Sequence, residues 1–162
     1  MRAKSILILG VGNLLLGDEG VGIHVVRQLR RLPLPPEVEV IDGGTGGFEL
    51  LAHCRGRKKV AIIDAVKVAA EPGAVFRFAP EEVSEQPRPV LSAHEGGVHD
   101  LLHFCKTLVP PPEVIIYGIV PEETQRLSMQ LSEMLARKLD EIVAFLIAEM
   151  KRVVASEKHT KE

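Results

Sequence analysis

The fold is decided by the stretch ILILGVGNLLLGDEGVG, residues 6–22. It begins with an apolar run typical of a buried strand, breaks at glycines and then passes two adjacent carboxylates. Val21, Val25 and Leu29 follow at helical spacing. Such a strand–loop–helix unit places its loop at the carboxyl end of a sheet strand, where α/β proteins usually carry their sites.

The rest of the chain repeats this alternation of strands and helices. Further strands are predicted at 38–41, 59–63, 74–78 and 114–120, and helices near 48–53, after residue 94 and from Ser128. The alternating pattern at 74–78 is typical of an edge strand that runs antiparallel. Residues 80–89 read as a loop. We therefore predict a three-layer α/β/α sandwich around a mostly parallel five-stranded sheet with one antiparallel strand.

The size and the charge of the chain predict a simple organisation. We expect residues 1–162 to form a single domain and residues 151–162 to be a fraying tail after Met150. Its 20 basic and 22 acidic residues give a net charge of −2 without a like-charge block, which argues against nucleic acid and membrane surfaces as partners. The apolar run at the amino terminus is too short for a signal peptide or a membrane span.

The two cysteines predict the compartment. Cys54 and Cys105 match no metal-binding spacing, and we expect them to be buried free thiols in a reducing environment. The pair His53 and Cys54 is not a catalytic dyad, because adjacent helical residues point in different directions. We therefore predict a cytoplasmic protein. We also expect it to be a monomer.

The glycine loop does not fit the common phosphate-binding motifs. A dinucleotide fingerprint requires a third glycine where this chain has Leu15. Asp18 and Glu19 would repel a phosphate at the start of the helix. The chain also lacks the Gly-Lys-Ser/Thr ending of a P-loop and the Gly-x-Ser-x-Gly elbow of serine hydrolases.

Four polar residues near predicted strand or helix ends are the candidates for a functional site. Asp18 is predicted to cap the first helix, and Glu19 is either a charge placed near the helix dipole or a side chain facing the site. Asp64 ends an apolar strand and is predicted to project into the crevice at that sheet edge. His94 precedes a helix. His99 and His103 lie one helical turn apart on the polar flank, where we expect solvent exposure.

The predicted topology brings Glu19, Asp64 and His94 to one edge of the sheet. One imidazole and two carboxylates suit a divalent transition metal such as nickel or zinc. Three protein ligands leave coordination positions open for water or substrate. These residue types are consistent with a metal-binding site, but their spacing alone does not establish one.

Taken together, the motifs resemble those of the endopeptidases that mature nickel–iron hydrogenases. The resemblance covers nearly the whole chain and begins with Gly-x-Gly-Asn-x-Leu-x-Gly-Asp-Glu-Gly-x-Gly at residues 10–22. It continues with Asp42-Gly43-Gly44-Thr45-x-Gly47, Asp64-Ala65, His94 with Gly97, Asp100-Leu101-Leu102 and Gly118-Ile119-Val120-Pro121-Glu122. Each motif alone is weak, whereas the set is specific.

The resemblance implies a fold, a reaction and a partner. It implies a three-layer α/β protein whose Glu, Asp and His ligands match Glu19, Asp64 and His94. The implied substrate is the hydrogenase large subunit precursor, which loses a short carboxy-terminal peptide once nickel has been inserted. Nickel would be carried by the substrate and could also be bound by the enzyme, with zinc or another divalent ion in its place. We also hypothesise that the 42–47 loop shapes the cleft that binds the precursor peptide.

Two departures from the family pattern concern its details. Val98-His99 follows Gly97 where the family often has leucine, so His99 is a candidate extra contact. Arg126-Leu127-Ser128-Met129 stands where many relatives carry Gly-Leu-Ser-Pro, which bears on how the partner fits.

Two other functions remain open at this point. The first is a nickel-checking chaperone of the same fold that does not cleave, because the residues offer no self-evident nucleophile or base. The second is a peptidyl-tRNA hydrolase-like protein, which shares the strand followed by Gly-x-Gly-Asn. The acidic pair Asp18 and Glu19 and the negative net charge argue against this second reading.

Overall fold

The computed structural model describes residues 4–84, 90–91 and 95–159. The strands are β1 (Ile6–Gly10), β2 (Val38–Asp42), β3 (Lys59–Lys67), β4 (Val75–Phe78), β5 (Val90–Leu91) and β6 (Glu113–Ile119). The helices are α1 (Val21–Leu29), α2 (Leu51–Cys54), α3 (Pro80–Ser84), α4 (Glu95–Cys105) and α5 (Glu133–His159). Short 3-10 turns cover Gly17–Gly20 and Phe48–Leu50.

Five strands lie side by side in the order β2-β1-β3-β6-β4, and their number confirms the prediction. The first four run parallel, and β4 is antiparallel to β6. The two-residue β5 pairs with the end of β3. Because β1 and most of β3 are buried on both faces, their sequences are continuous apolar runs rather than alternating ones.

Helices cover both faces of the sheet and confirm the three-layer architecture. One core cluster combines α1 and α5 with one face of the strands, including Ile8, Ile63 and Tyr117. A second cluster packs α2 and α4 against the opposite face, including Leu9 and Ile62. The parallel strands therefore open a common carboxyl edge between two helical layers, where α/β proteins carry their sites.

The third strand is longer than predicted. We expect it from the sequence to end at Ile63, yet β3 continues to Lys67, so that Asp64 lies inside the strand rather than after it. The extension is supported by neighbouring strands, because β6 pairs with it as far as Ala65 and β5 pairs with its last two residues. These pairings are tertiary contacts that the local pattern does not contain.

Both ends of the last helix differ from the prediction. The helix begins at Glu133 and not near Ser128, because the Ser132 hydroxyl accepts the Leu135 N–H at 3.3 Å and caps it there. The fraying predicted after Met150 is wrong, since α5 continues to His159. Val153 and Val154 are buried there, and Glu157 lies 3.5 Å from the ammonium groups of Lys58 and Lys59.

The segment predicted as a loop at 80–89 begins with the short helix α3, and residues 85–89 lie outside the described part. Within the described ranges, none of the helices has the length and apolar composition needed to cross a membrane.

Candidate functional site

Glu19 is held at the carboxyl edge of the sheet by the 3-10 turn Gly17–Gly20. All four residues of this turn are buried, and Glu19 is only 2% exposed. The preceding loop approaches so closely that a Cβ on Gly12 would lie 2.1 Å from the Glu19 carbonyl oxygen. Gly12 also has a φ of +146°, which side chains rarely adopt. The glycines predicted to shape the loop thus position the acidic residue.

Asp64 is a buried carboxylate inside the central strand β3. It has no exposed surface, and its Oδ1 accepts the Ala65 N–H at 2.8 Å. Alternate strand residues share a face, and Ile62 and Val66 belong to the core cluster packed under α4. Asp64 therefore faces the α2–α4 layer, on the side of the sheet that α4 covers.

The two acidic residues belong to elements that touch. The 3-10 turn carrying Glu19 packs against β3, and the following helix is pressed onto the same strand. A Cβ on Gly22 would come within 2.3 Å of the Ile63 carbonyl oxygen. Buried carboxylates brought near each other are costly unless cationic or hydrogen-bonding partners compensate them. Their oxygen donors fit a divalent cation.

His94, the third predicted ligand, lies outside the described residues, and its place in the site stays a prediction. Among the residues that the structure does describe, no three His, Cys, Asp or Glu side chains are grouped so as to hold a metal ion. The described part of the predicted site is therefore the carboxylate pair Glu19 and Asp64. Of the two other candidates on α4, His103 is exposed as predicted and His99 is half-buried.

Asp18 does not cap α1, which corrects the prediction made from the sequence. The helix has no side-chain cap, and the Asp18 carboxylate binds other segments instead. Its Oδ2 accepts the N–H groups of Glu122 and Glu123 at 2.9 and 3.0 Å, and its Oδ1 accepts the Ser132 N–H at 2.7 Å. The fully buried carboxylate thus ties the turn beside Glu19 to the loop after β6 and to the start of α5.

The local sequence around Asp18 does not predict these hydrogen bonds. Asp18 and its partners lie more than a hundred positions apart in the chain, and the spacing at 17–20 matches an ordinary helix cap. Backbone bonds strengthen the same junction, since Gly17 donates to the Ser128 carbonyl at 2.8 Å and Ser128 donates to Leu15 at 2.9 Å.

We expect Asp18→Asn to destabilise the protein by about 2–3 kcal/mol, because an amide nitrogen would face backbone N–H donors inside the protein. Urea unfolding measures this change. Asp140→Asn is the matched control, since Asp140 is exposed and accepts one side-chain bond from Gln28 at 2.7 Å. Equal unfolding free energies for the two variants would contradict the structural role of Asp18.

The loop that follows β2 packs against the glycine loop that positions Glu19. Asp42 orders it by accepting the Gly44 N–H at 3.0 Å and the Arg27 Nε–H at 3.1 Å. The loop joins the first glycine loop through two backbone bonds, from Gly43 to the Gly10 carbonyl at 2.8 Å and from Gly12 to the Gly44 carbonyl at 3.0 Å. The two glycine motifs of the sequence therefore form one connected structure.

A third feature of this edge is an open cavity of about 360 Å³. It lies where β3 and β6 end, and it is lined by residues 66–69, residues 120–122 and Thr124. Glu122, whose N–H is held by Asp18, belongs to this lining. The cavity thus lies at the same edge of the sheet as Asp64.

His24 supports the neighbouring loop in its neutral form. Burial lowers the pKa of His24, and the nearby Arg27 guanidinium lowers it further. A hydrogen bond to the Met129 carbonyl and the charge of Asp18 act in the opposite direction without outweighing the burial. A neutral imidazole at neutral pH therefore helps to hold the 126–130 segment beside α1.

The fold and the site define an α/β protein with buried acidic residues at the carboxyl edge of a mainly parallel sheet. The model of the hydrogenase maturation protease family matches residues 23–149. The hydrogenase 2 maturation protease of Escherichia coli K12 is 35% identical over 147 residues, which cover 87% of this chain and 90% of that protein. The chain belongs to the hydrogenase maturation protease family, whose members are hydrolases.

Solved structures agree with this assignment. The hydrogenase maturating endopeptidase HybD from Escherichia coli superposes with a TM-score of 0.79 at 31% identity, covering 94% of both chains. The nickel–iron hydrogenase maturation protease HybD from Thermococcus kodakarensis gives a TM-score of 0.70 at 31% identity and covers 90% of this chain and 97% of that one. The resemblance and the fold class predicted from the sequence are thereby confirmed.

Proposed function

We propose that this protein is an endopeptidase that removes the carboxy-terminal peptide of a nickel-loaded hydrogenase large subunit precursor. We propose further that Glu19, Asp64 and His94 recognise the inserted nickel. The observation that carries the proposal is the pair of buried carboxylates, Glu19 at 2% and Asp64 at 0% exposure, on touching elements at the carboxyl edge of the sheet. The family of hydrogenase maturation proteases supplies the reaction class.

Nickel is part of the substrate in this proposal. Carboxylate oxygens and an imidazole nitrogen are suitable donors for it, and three protein ligands leave positions for the precursor's own ligands and for water. Because the precursor brings the metal, an unloaded precursor lacks the group that the site recognises. Cleavage would then report that insertion is complete. Nickel held by the enzyme itself, or zinc in its place, is a further hypothesis that the same donors allow.

In the proposed reaction, the site residues bind the metal-bearing end of the precursor and the surrounding surfaces bind the peptide. Glu19 and Asp64 orient the nickel-bearing end of the precursor, and the 42–47 loop together with the cavity at the ends of β3 and β6 accommodates the peptide on either side. A metal next to the scissile bond can polarise its carbonyl or a water molecule. Water then adds to the carbonyl carbon, the C–N bond breaks, and the leaving amine takes up a proton.

Location and assembly belong to the same proposal. Buried free thiols at Cys54 and Cys105 fit a reducing compartment, which supports action in the cytoplasm. We propose further that the protein acts as a monomer. The RNA-directed alternative loses its basis, because the family assignment explains the glycine and asparagine motif that suggested it.

Incubation of the purified protein with nickel-loaded and nickel-free precursor tests the function. We expect the loaded precursor alone to become shorter, as seen by intact mass. Binding of the loaded precursor without shortening would favour the nickel-checking chaperone and contradict the peptidase. Equal shortening of both precursors would contradict nickel recognition and leave a metal-independent peptidase.

A further inference from the structure

The two cysteines of the chain meet inside the protein although they lie in different helices. Cys54 ends α2 and Cys105 ends α4, with exposures of 0% and 1%. Both belong to the same core cluster, and their thiols interact directly, side chain to side chain. The edge-to-face contact between Phe48 and Phe104, with ring centroids 5.0 Å apart, packs the same two segments together beside the pair. The proposed reaction uses neither thiol.

The contact between the thiols shifts the pKa values of Cys54 and Cys105 in opposite directions. The hydrogen bond between the thiols, together with burial, raises the pKa of Cys54. The same hydrogen bond lowers the pKa of Cys105, because a thiolate at Cys105 accepts it, while burial acts against this effect. Interacting thiols lose their protons in two separate steps, so one sulfur becomes a nucleophile while its neighbour stays protonated.

A small reagent has a route to one member of the pair. Cys105 lines an open cavity of about 350 Å³ together with Lys106, Pro111, Pro112 and Val114. This volume is many times that of a water molecule, which occupies about 30 Å³ in the liquid, and a peroxide is not much larger. Cys54 does not line this cavity, and its sulfur lies 3.6 Å from the Leu50 carbonyl oxygen.

We propose that Cys54 and Cys105 are an oxidant-reactive dithiol, which a peroxide entering the 350 Å³ cavity converts to a disulfide joining α2 to α4. The Cys105 thiolate attacks one peroxide oxygen, the O–O bond breaks, and a sulfenic acid and hydroxide result. The Cys54 sulfur then attacks the sulfenic sulfur, its proton leaves with the departing hydroxide as water, and the S–S bond forms. Two thiols and one hydrogen peroxide thus give one disulfide and two waters.

The disulfide would join segments next to the proposed cleft. Helix α2 follows the 42–47 loop, and α4 begins directly after residue 94. Any effect of the bond on precursor processing rests on the proposed function, whereas the chemistry of the pair does not. A cross-link between these helices would restrict their relative movement and so slow the admission of the precursor.

Intact-mass analysis of the full chain after hydrogen peroxide treatment tests the proposal. Treated protein is unfolded in the presence of an alkylating reagent. We expect an unalkylated monomer lighter by two hydrogens and a peptide map that joins Cys54 to Cys105. In the Cys54→Ser variant, we expect a sulfenic acid on Cys105 that dimedone traps. Cys105→Ser is the matched control and should react with peroxide more slowly than Cys54→Ser.

Two results would overturn the dithiol proposal. One is full alkylation of both thiols after a peroxide dose that oxidises free glutathione completely. The other is a sulfinic acid on either sulfur without the linked peptide. The wild-type measurement stands even if a serine variant fails to fold. Processing of loaded precursor by the reduced chain tests the proposed function separately, so that the failure of one is distinguishable from the failure of the other.

Discussion

Glu19→Gln, Asp64→Asn and His94→Ala are each expected to lower the processing of nickel-loaded precursor by at least about 100-fold, which corresponds to roughly 2.7 kcal/mol in the activation free energy. The first two changes keep the size of the side chain and replace a carboxylate oxygen by an amide nitrogen, which is a poor ligand for a divalent cation. The initial rate of precursor shortening, followed by intact mass, measures the effect.

Matched controls separate this effect from a general loss of acidic residues. Glu49→Gln changes an exposed carboxylate near the same loop, and Asp140→Asn changes an exposed one on α5. Both are expected to process at nearly the wild-type rate. Urea unfolding of each variant shows whether a slow enzyme is still folded. Normal processing by all three site variants would refute the assignment of the ligands.

Gly12→Ala is expected to destabilise the protein by about 3 kcal/mol or more and to abolish most processing. The new methyl group would lie 2.1 Å from the Glu19 carbonyl oxygen, so the turn that carries Glu19 must move. Backbone strain adds to this clash, because Gly12 has a φ of +146°. Urea unfolding and the processing rate report the two consequences.

Gly56→Ala is the matched control for this change. Gly56 also has a positive φ, +77°, but a Cβ there meets nothing within 4 Å. We expect a loss of about 1 kcal/mol in stability from backbone strain alone, with processing unchanged. If Gly12→Ala behaves like Gly56→Ala in both measurements, the close approach of Gly12 to Glu19 does not position the site.

Much of the architecture was predictable because it is written in local patterns. The apolar runs at 6–9 and 60–63 coincide with β1 and with part of β3, since strands buried on both faces need apolar side chains at every position. The strand predicted at 38–41 coincides with β2, which lies at the edge of the sheet and is only half-buried after Val38. The antiparallel edge strand was also predictable from its alternating sequence, although its burial does not alternate, since Phe78 is buried whereas Phe76 and Arg77 are exposed. The glycine-rich stretches after the first and second strands also correctly predicted the loops that follow β1 and β2.

What the sequence missed depends on contacts between distant residues. Asp18 reads locally as a helix cap, whereas its partners Glu122, Glu123 and Ser132 come from the other end of the chain. The spacing of the cysteines likewise contains no hint that their thiols touch. Such contacts arise from the packing of α2 on α4 and of the 126–132 segment on the glycine loop, which no short window of sequence encodes.

The positions of Asp64 and Glu19 in the fold were predictable, whereas their role as a functional site stays a prediction. The apolar run before Asp64 distinguishes this residue in the sequence, and the structure buries it in β3 near the carboxyl edge of the sheet. Glu19 is the acidic residue of the pair that remains a candidate for the site, because Asp18 uses both of its oxygens on backbone N–H groups. The part of His94 stays a prediction.

X-ray absorption at the nickel edge tests the central claim most directly. The spectrum of loaded precursor is recorded alone and in complex with the wild-type protein, frozen before turnover, and again with the Glu19→Gln/Asp64→Asn double variant. We expect new oxygen or nitrogen ligands on nickel only in the wild-type complex. An unchanged nickel shell in a wild-type complex that goes on to cleave its precursor would contradict the account.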